Sequence, residues 1–246
     1  MIESKKTELA RALLIVPCFN ESLRIQKDKF IQETPPNVDL LFANDGSTDH
    51  TAQVLKNICV SRPGFYAFNS PKNSGKANVI HEAFLSLKSK DQLHPYTWIG
   101  FWDADLATPL AEINNFIIYQ NYFSVKSTAL FGCRLARYGA KINRSLLRHY
   151  LSRIFVTATD LILGIKAYDS QCGAKLFHRS IADKIFEKPF ISKWIFDLEI
   201  ILRAGSENVL EIPVFEWVDV PGSKLKIGRE IFRVLFEIFK IKQNYK

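Results

Sequence analysis

Short, almost uninterrupted apolar runs alternate with longer amphipathic stretches from the start of the chain to Arg134. "ALLIVPCF" (12–19), "VDLLFAN" (38–44), "GFYAFNS" (64–70), "YTWIGFWDAD" (96–105) and "STALFGCR" (127–134) read as strands. Between them lie helical stretches. One runs from a cap at Ser22 to about Glu33, and one is capped by Ser47 or Thr48. Two more occupy 75–89 and 109–123, the last with Pro109 near its first turn. Strands that are apolar on both faces, each followed by a helix, imply a mostly parallel sheet covered by helices on both sides, an α/β fold. In such sheets ligands sit beyond the carboxyl ends of the strands. Glu21, Asp45, Lys76, Asp103 and Asp105 all fall at or just after such ends.

After residue 140 the pattern changes. "NRSLLRHYLSRIFVTATDLILG" (143–164) reads as one long helix with Arg144, Arg148 and Arg153 in its first half. "AKLFHR" (174–179) is a further strand, "WIFDLEIILRA" (194–204) a helix, and "NVLEIPVFEWVDV" (208–220) a single edge strand. The tail is amphipathic and basic. The expected organisation is one domain over 1–225 and a C-terminal helix over 226–246.

Composition narrows the function. The 246 residues are 47% hydrophobic and 24% charged, an ordinary globular balance. The formal net charge of +8 points to an anionic partner such as a nucleotide or a phospholipid surface. Cys18, Cys59, Cys133 and Cys172 are scattered with no CxxC pair, so reduced thiols in an intracellular compartment are the expectation. The first residues do not read as a signal peptide. No apolar stretch reaches the roughly 18–20 residues of a membrane span. The richest candidate, "IFVTATDLILGI", carries Asp160.

"FWDADLATP" (101–109) poses the chemical question, since two carboxylates stand two positions apart at the end of an apolar run. In an extended segment they point to one side. Like charges so placed suit one shared hard cation, Mg²⁺ or Mn²⁺, of the kind that binds through one or two carboxylates plus substrate phosphates. The alternative is a turn with two solvated acids. "FANDGSTD" (42–49) turns from a strand into a helix start whose backbone N–H groups suit an anion, with Asp45 suited to a ribose or base. A capped helix start explains Ser47 and Asp49 as well, and Asp45 less well. "PKNSGKA" (71–77) offers Lys76 as a point charge for phosphate. Neither a Walker loop nor a GxGxxG is present, so an ATPase or dinucleotide fold is not supported.

"IVPCFNES", "NDGSTD", "NSGKA", "DADLATP" and "GCR" occur in that order at these spacings, and the set resembles glycosyltransferase family 2, whose fold is GT-A, a Rossmann-like α/β fold. "YDSQCGAKLF" (168–177), "WIFDLEI" (194–200), "EIPVFEW" (211–217) and "PGSKLK" (221–226) resemble its dolichyl- and polyprenyl-phosphate branch, with a lean toward the dolichyl-phosphate glucosyltransferases. The resemblance spans about 12–240. It implies that Pro17, Asn20, Glu21 and Asp45 hold the nucleoside and that Lys76 lies near the phosphates. It implies metal binding by Asp103 and Asp105, Asp105 most directly, and a phosphate contact from Arg134. Arg148 and Ser152 match the acceptor-phosphate spacing, Ser223 and Lys224 reach the phosphates, and Asp169, Gln171 and Cys172 line the sugar side. The chain departs from the pattern at Asn44, where many relatives have Asp, and at Ala77, where Gly is usual. Many relatives of this branch also carry membrane-spanning helices, and none is visible here.

The implied reaction is an inverting transfer of a hexose, glucose with UDP favoured, to dolichyl or polyprenyl phosphate. A phosphate monoester is mostly dianionic at neutral pH, because its second pKa is ~6, and attacks without a general base. A neutral hydroxyl of a glycan, lipid or protein is the alternative acceptor. It needs a base, for which Asp169 and Asp197 are candidates. A non-catalytic nucleotide-sugar module is a further class, disfavoured by the leaving-group machinery, and no nucleic-acid recognition motif is visible. The tail places Phe232, Leu235, Phe236 and Phe239 on one apolar side among Arg229, Arg233, Lys240 and Lys242. That side suits a membrane interface and a peripheral cytoplasmic location. Packing on the domain's own core or on a second copy in a homo-oligomer are the alternatives.

Overall fold

The computed structural model describes residues 10–122, 128–219 and 227–245, the side chains of 148 and 227–232 excepted. In chain order the elements are β1 (Ala12–Cys18), α1 (Lys27–Glu33), β2 (Val38–Asp45), α2 (Thr51–Val60), β3 (Phe65–Ser70), α3 (Lys76–Ser89), β4 (Trp98–Trp102), α4 (Glu112–Tyr122) and β5 (Ala129–Cys133). They continue with β6 (Lys141–Asn143), α5 (Leu146–Leu163), β7 (Ala174–His178), α6 (Arg179–Phe186), α7 (Phe196–Ala204), β8 (Val209–Pro213), β9 (Glu216–Val218) and α8 (Ile227–Asn244).

One seven-stranded sheet runs in the order β3-β2-β1-β4-β7-β5-β8. It is parallel except for β7, which lies antiparallel between β4 and β5. Alternate residues of one strand feed opposite cores. Leu13 and Ile15 join one cluster, and Leu14 and Val16 the other. Both faces are therefore dry, which is why the strands read as continuous apolar runs.

Several boundaries differ from the sequence expectation, each for a local reason. Ser22 caps no helix, because its backbone N–H and hydroxyl both donate to Asp49 Oδ2. A single turn follows, and α1 begins only at Lys27. Ser47 and Thr48 do not cap α2 either, since both bond Asn20 and the helix starts at Thr51. Pro109 precedes α4 by three positions. The stretch expected as a helix from Asn143 opens instead with β6, which pairs with β9 (Ile142 against Trp217). The expected single edge strand 208–220 is two. β8 ends at Pro213, and buried Glu112 Oε1 accepts from Phe215 N and Glu216 N at 2.8 and 3.2 Å. That carboxylate turns the chain out of the main sheet.

In α8 the buried anchors are Ile238 and Ile241, with Leu235 half-buried, and the helix packs on α5. The expected single apolar side is divided: Leu235 packs against the core, while Phe236 and Phe239 are exposed. The stripe 234/235/238/241/245 faces the core. Phe232 lies outside the described side chains.

Candidate active site

The carboxyl ends of β1, β2 and β4 enclose a cleft of 330 Å³ lined by Pro17, Glu21, Asp45, Lys76, Asp103 and Asp105, among others. Strand register brings them together, with Pro17 of β1 opposite Ala43 of β2 and Ile15 opposite Phe101 of β4. Beyond β1 the chain must turn at once. Asn20 does so in the left-handed region (φ 54°), which Asn tolerates better than most residues. Its Oδ1 accepts from Thr48 N at 2.9 Å, and its own N–H donates to Ser47 Oγ at 3.0 Å. Asn20 thus clamps the loop after β1 to the loop after β2. Glu21 is paired with Arg24 at 2.5 Å. Asp49, bonded by Thr51 and Ser22, is held well below the usual carboxylate range.

Asp45 is buried in the cleft wall. Its Oδ1 accepts from Ser74 N (2.7 Å) and Ser74 Oγ (3.1 Å), and its Oδ2 from Gly75 N (2.8 Å). The loop so gripped opens α3 and delivers Lys76. Close approach of this loop also explains Gly46. Its φ is +59°, and a Cβ there would meet the Lys72 carbonyl carbon at 2.3 Å. The two departures from the family pattern are accommodated. Asn44 donates to Asn69 Oδ1 (2.9 Å) and accepts from Ser47 N, and the Ala77 methyl is fully buried in the core.

The carboxylate pair follows β4 directly. Asp103 N donates to the Gly173 carbonyl at 3.1 Å, and Asp105 Oδ1 accepts from Ala107 N at 3.0 Å. Lys76 Nζ stands 2.5 Å from Asp103 Oδ1 and lies over the rings of Phe101 and Phe196. Burial and the neighbouring Asp103 charge push the Asp105 pKa up. Burial disfavours the Lys76 ammonium, but Asp103 and Asp197 outweigh it and raise its pKa. Two convergent carboxylates, with negative charge in excess of one lysine, fit a hard divalent cation. Among the described residues no third His, Cys, Asp or Glu joins them.

Sequence reasoning missed the layer beneath. Lys175, the second residue of β7, is fully buried and pairs with Asp197 at 2.6 Å. Its Nζ also bonds the Cys172 carbonyl, and it lies over Phe101 and Phe131. The signal was present as one lysine inside "AKLFH", a strand otherwise read only for its apolar residues. Asp197, a candidate base for a hydroxyl acceptor, is committed to this pair.

Asp169 is likewise committed. Arg134 donates to it three times, from N (3.0 Å) and Nε (2.6 Å) to Oδ2 and from Nη2 to Oδ1 (2.7 Å). Burial raises the Asp169 pKa, but Arg134 more than reverses this and holds it low. Its backbone N–H and that of Tyr168 both donate to Glu211, at 2.6 and 2.7 Å. As it stands, Asp169 aims Arg134 rather than holding a lone pair ready for a proton. The Arg134 guanidinium lies 5.3 Å over the Trp217 ring. Gln171 is exposed. Cys172, expected on the sugar side, is buried with its Sγ 3.9 Å from Thr108 Oγ1. Burial holds its thiol protonated by raising the pKa. Ser152 is half-buried on α5. The Arg148 side chain, Ser223 and Lys224 lie outside the described residues.

Residues 13–186 match the family described as Glycosyl transferase family 2. A dolichyl-phosphate beta-glucosyltransferase of Trichomonas vaginalis is 33% identical over 87% of this chain and 66% of its own length. This chain thus spans just under two thirds of that relative. The Saccharomyces cerevisiae protein of the same name is 28% identical over 99% of this chain and 82% of its own. The crystal structure of glucosyl-3-phosphoglycerate synthase from Mycobacterium tuberculosis, in complex with Mn²⁺, UDP and glucosyl-3-phosphoglycerate, shares the fold. Its TM-score is 0.66 at 14% identity, covering 96% of this chain and 80% of that one.

Proposed function

The chain belongs to glycosyl transferase family 2, and from that premise we propose that it transfers glucose from UDP-glucose to dolichyl or polyprenyl phosphate with inversion at the sugar. The observation that carries this reading is the cleft itself. Asp103, Asp105 and Lys76 meet at the carboxyl ends of β1, β2 and β4 in a chain whose curated relatives share the glucosyltransferase name.

Asp103 and Asp105 hold Mg²⁺ or Mn²⁺, which when bound offsets charge on the diphosphate. The solved neighbour contains Mn²⁺ together with UDP, in line with such a donor set. Asn20 and Asp45 keep the two loops around the nucleoside in register, and Pro17 and Glu21 line the same wall. Lys76, freed from Asp103, faces the phosphates and stabilises the leaving group. An acceptor phosphate oxygen attacks the anomeric carbon, the bond to the UDP oxygen breaks, and its electron pair leaves with UDP. No proton moves, so no base is required. A neutral hydroxyl acceptor is disfavoured by the same structure, because Asp169 and Asp197 are each paired with a buried cation.

The acceptor's membrane meets the outer face of α5. Leu147, Tyr150, Ile154 and Leu161 recur at helical spacing and are all exposed, and Phe236 and Phe239 are exposed on the neighbouring α8. No helix among the described residues is long and apolar enough to cross a membrane; exposed apolar side chains along a helix are the pattern of an interfacial contact.

The test is incubation with short-chain polyprenyl phosphate, Mg²⁺ or Mn²⁺, and a panel of UDP- and GDP-sugars, followed by mass spectrometry of the lipid. A glucosylated lipid with UDP-glucose, absent with Asp105→Asn, is the expected result. Product from a hydroxyl acceptor alone, or full turnover by Asp105→Asn, overturns it.

A further inference from the structure

Around Asp169 stand three arginines, Arg134, Arg144 and Arg153, and among the described residues only Arg134 has an ion-pair partner. Arg134 is locked by three bonds to Asp169. Arg153 donates to the Tyr168 carbonyl and lies 3.9 Å over the Tyr168 ring. Glu211 accepts from the N–H groups of Tyr168 and Asp169 and so holds that segment from the other side. Asp169 is the carboxylate in contact with Arg134, Asp103 acts on the same guanidinium from the cleft, and among the described residues neither Arg153 nor Arg144 has an ion-pair partner.

Arg144 is the unmatched member. It follows β6 directly, and β6 pairs with β9 so that Ile142 stands against Trp217, the ring under Arg134. Among the described residues Arg144 makes no hydrogen bond or ion pair. Burial, then repulsion from Arg134, lowers its pKa; Asp169 pulls the other way, and Arg153 adds a smaller repulsion. A cation that is half-buried, repelled by its neighbours and without a partner marks the place of a missing anion.

Building on the proposed lipid-phosphate acceptor, we propose that Arg144 is an acceptor-binding residue that takes the phosphate beside Arg134. The reason lies in the ion pairing. Arg134 is already satisfied by Asp169, so it orients an anion but adds little net charge. Arg144 brings the uncompensated charge that a dianion needs. The guanidinium also offers two parallel donors to a phosphate, which a lysine cannot.

The experiment compares wild type, Arg144→Gln and Arg144→Lys with UDP-glucose and a short-chain polyprenyl phosphate. It measures KM for the lipid, affinity for UDP by calorimetry, and melting temperature. The expected result is a KM for the lipid raised about ten- to a hundredfold in Arg144→Gln, the loss of one charged hydrogen-bonding group. Arg144→Lys should recover part of this, with UDP affinity within about twofold of wild type. Inorganic phosphate is added as a competitor to separate headgroup from lipid. If the site reads phosphate, it inhibits wild type and loses potency in Arg144→Gln. If lipid KM is unchanged, or if it rises only together with a loss of UDP affinity and a fall in melting temperature, Arg144 is structural and the inference fails. Should wild type glucosylate no lipid phosphate at all, the proposed function itself fails, a separate outcome.

Discussion

Substituting alanine for Gly173 tests how Asp103 is placed. Gly173 does not adopt a positive φ, so alanine meets no backbone penalty there. The obstacle is Asp103. A Cβ at 173 would stand 1.8 Å from Asp103 Oδ2 and 2.2 Å from its Cγ, well inside contact distance. The Asp103 N–H is meanwhile tied to the Gly173 carbonyl, so the two backbones do not part easily. The side chain must rotate away, and it leaves Lys76 as it goes. For stability the effects are small and partly opposed. The Lys76–Asp103 pair is more than a third exposed on both sides, and its loss costs at most about 1 kcal/mol. Alanine gains roughly 0.4–1 kcal/mol by restricting the unfolded chain. An off-rotamer Asp103 costs about 0.5–1.5 kcal/mol. The net change is within about 2 kcal/mol, or a few degrees of melting temperature for a chain of this size. For chemistry the effect is large, because a 1 Å misplacement of a positioned group can cost about a hundredfold. Calorimetric melting, Mn²⁺ binding in the presence of UDP by electron paramagnetic resonance, and turnover are the three readouts. Gly173→Ala should melt within a few degrees of wild type, yet lose Mn²⁺ retention and about two orders of magnitude in rate. Wild-type rate and Mn²⁺ binding would show that the contact does not place Asp103. A collapse in melting temperature would show that Gly173 serves the fold instead.

Three other outcomes are expected. Lys175→Met leaves Asp197 buried and unpaired and should cost about 3–5 kcal/mol, while adding Asp197→Leu should restore most of it; urea unfolding measures both. Burial, then the Arg203 charge, lowers the His81 pKa from 6.5. The folded state therefore binds the proton less well than the unfolded chain, so stability is full above about pH 6.5 and falls as pH drops through the lowered pKa. His81→Gln should remove that slope from melting curves taken between pH 7.5 and 5. Ile238→Ala should cost about 2–5 kcal/mol, since Ile238 is wholly buried, whereas Phe236→Ser with Phe239→Ser should leave melting nearly unchanged and weaken flotation with anionic liposomes.

The part of the molecule legible in the sequence is the part governed by local rules. Apolar runs marked the strands because both sheet faces are dry, and the polar residues at their ends converge as a parallel sheet requires. What escaped depends on contacts distant in sequence. β7 lies antiparallel in mid-sheet, which no property of "AKLFHR" announces. Ser22 and Ser47 look like helix caps and are instead partners of Asp49 and Asn20 across the gap between two loops. Glu112 turns the chain between β8 and β9 from a hundred residues away. The site followed the same division. Asp103, Asp105 and Lys76 sit where their spacing placed them, while the engagement of Asp169 by Arg134 and of Asp197 by Lys175 required the fold.

These pairings explain why two aspartates are tolerated so close together. Asp103 faces Lys76, Lys76 is held charged partly by Asp197, and Asp197 is neutralised by Lys175 in the core. Charge alternates in sign from the cleft inward, with the rings of Phe101 and Phe196 packed against the ammonium groups. Lys76 has a second favourable neighbour in Asp197, so the cation of the proposed function could take its place at Asp103 and still leave it a favourable charge. Among the described residues Asp105 has no such counterion in contact, and burial beside Asp103 makes its charge costly. In the proposed function this arrangement would leave room for one added positive charge beside a lysine able to turn to the phosphates, and a glycine at 173 keeps the space in which Asp103 stands.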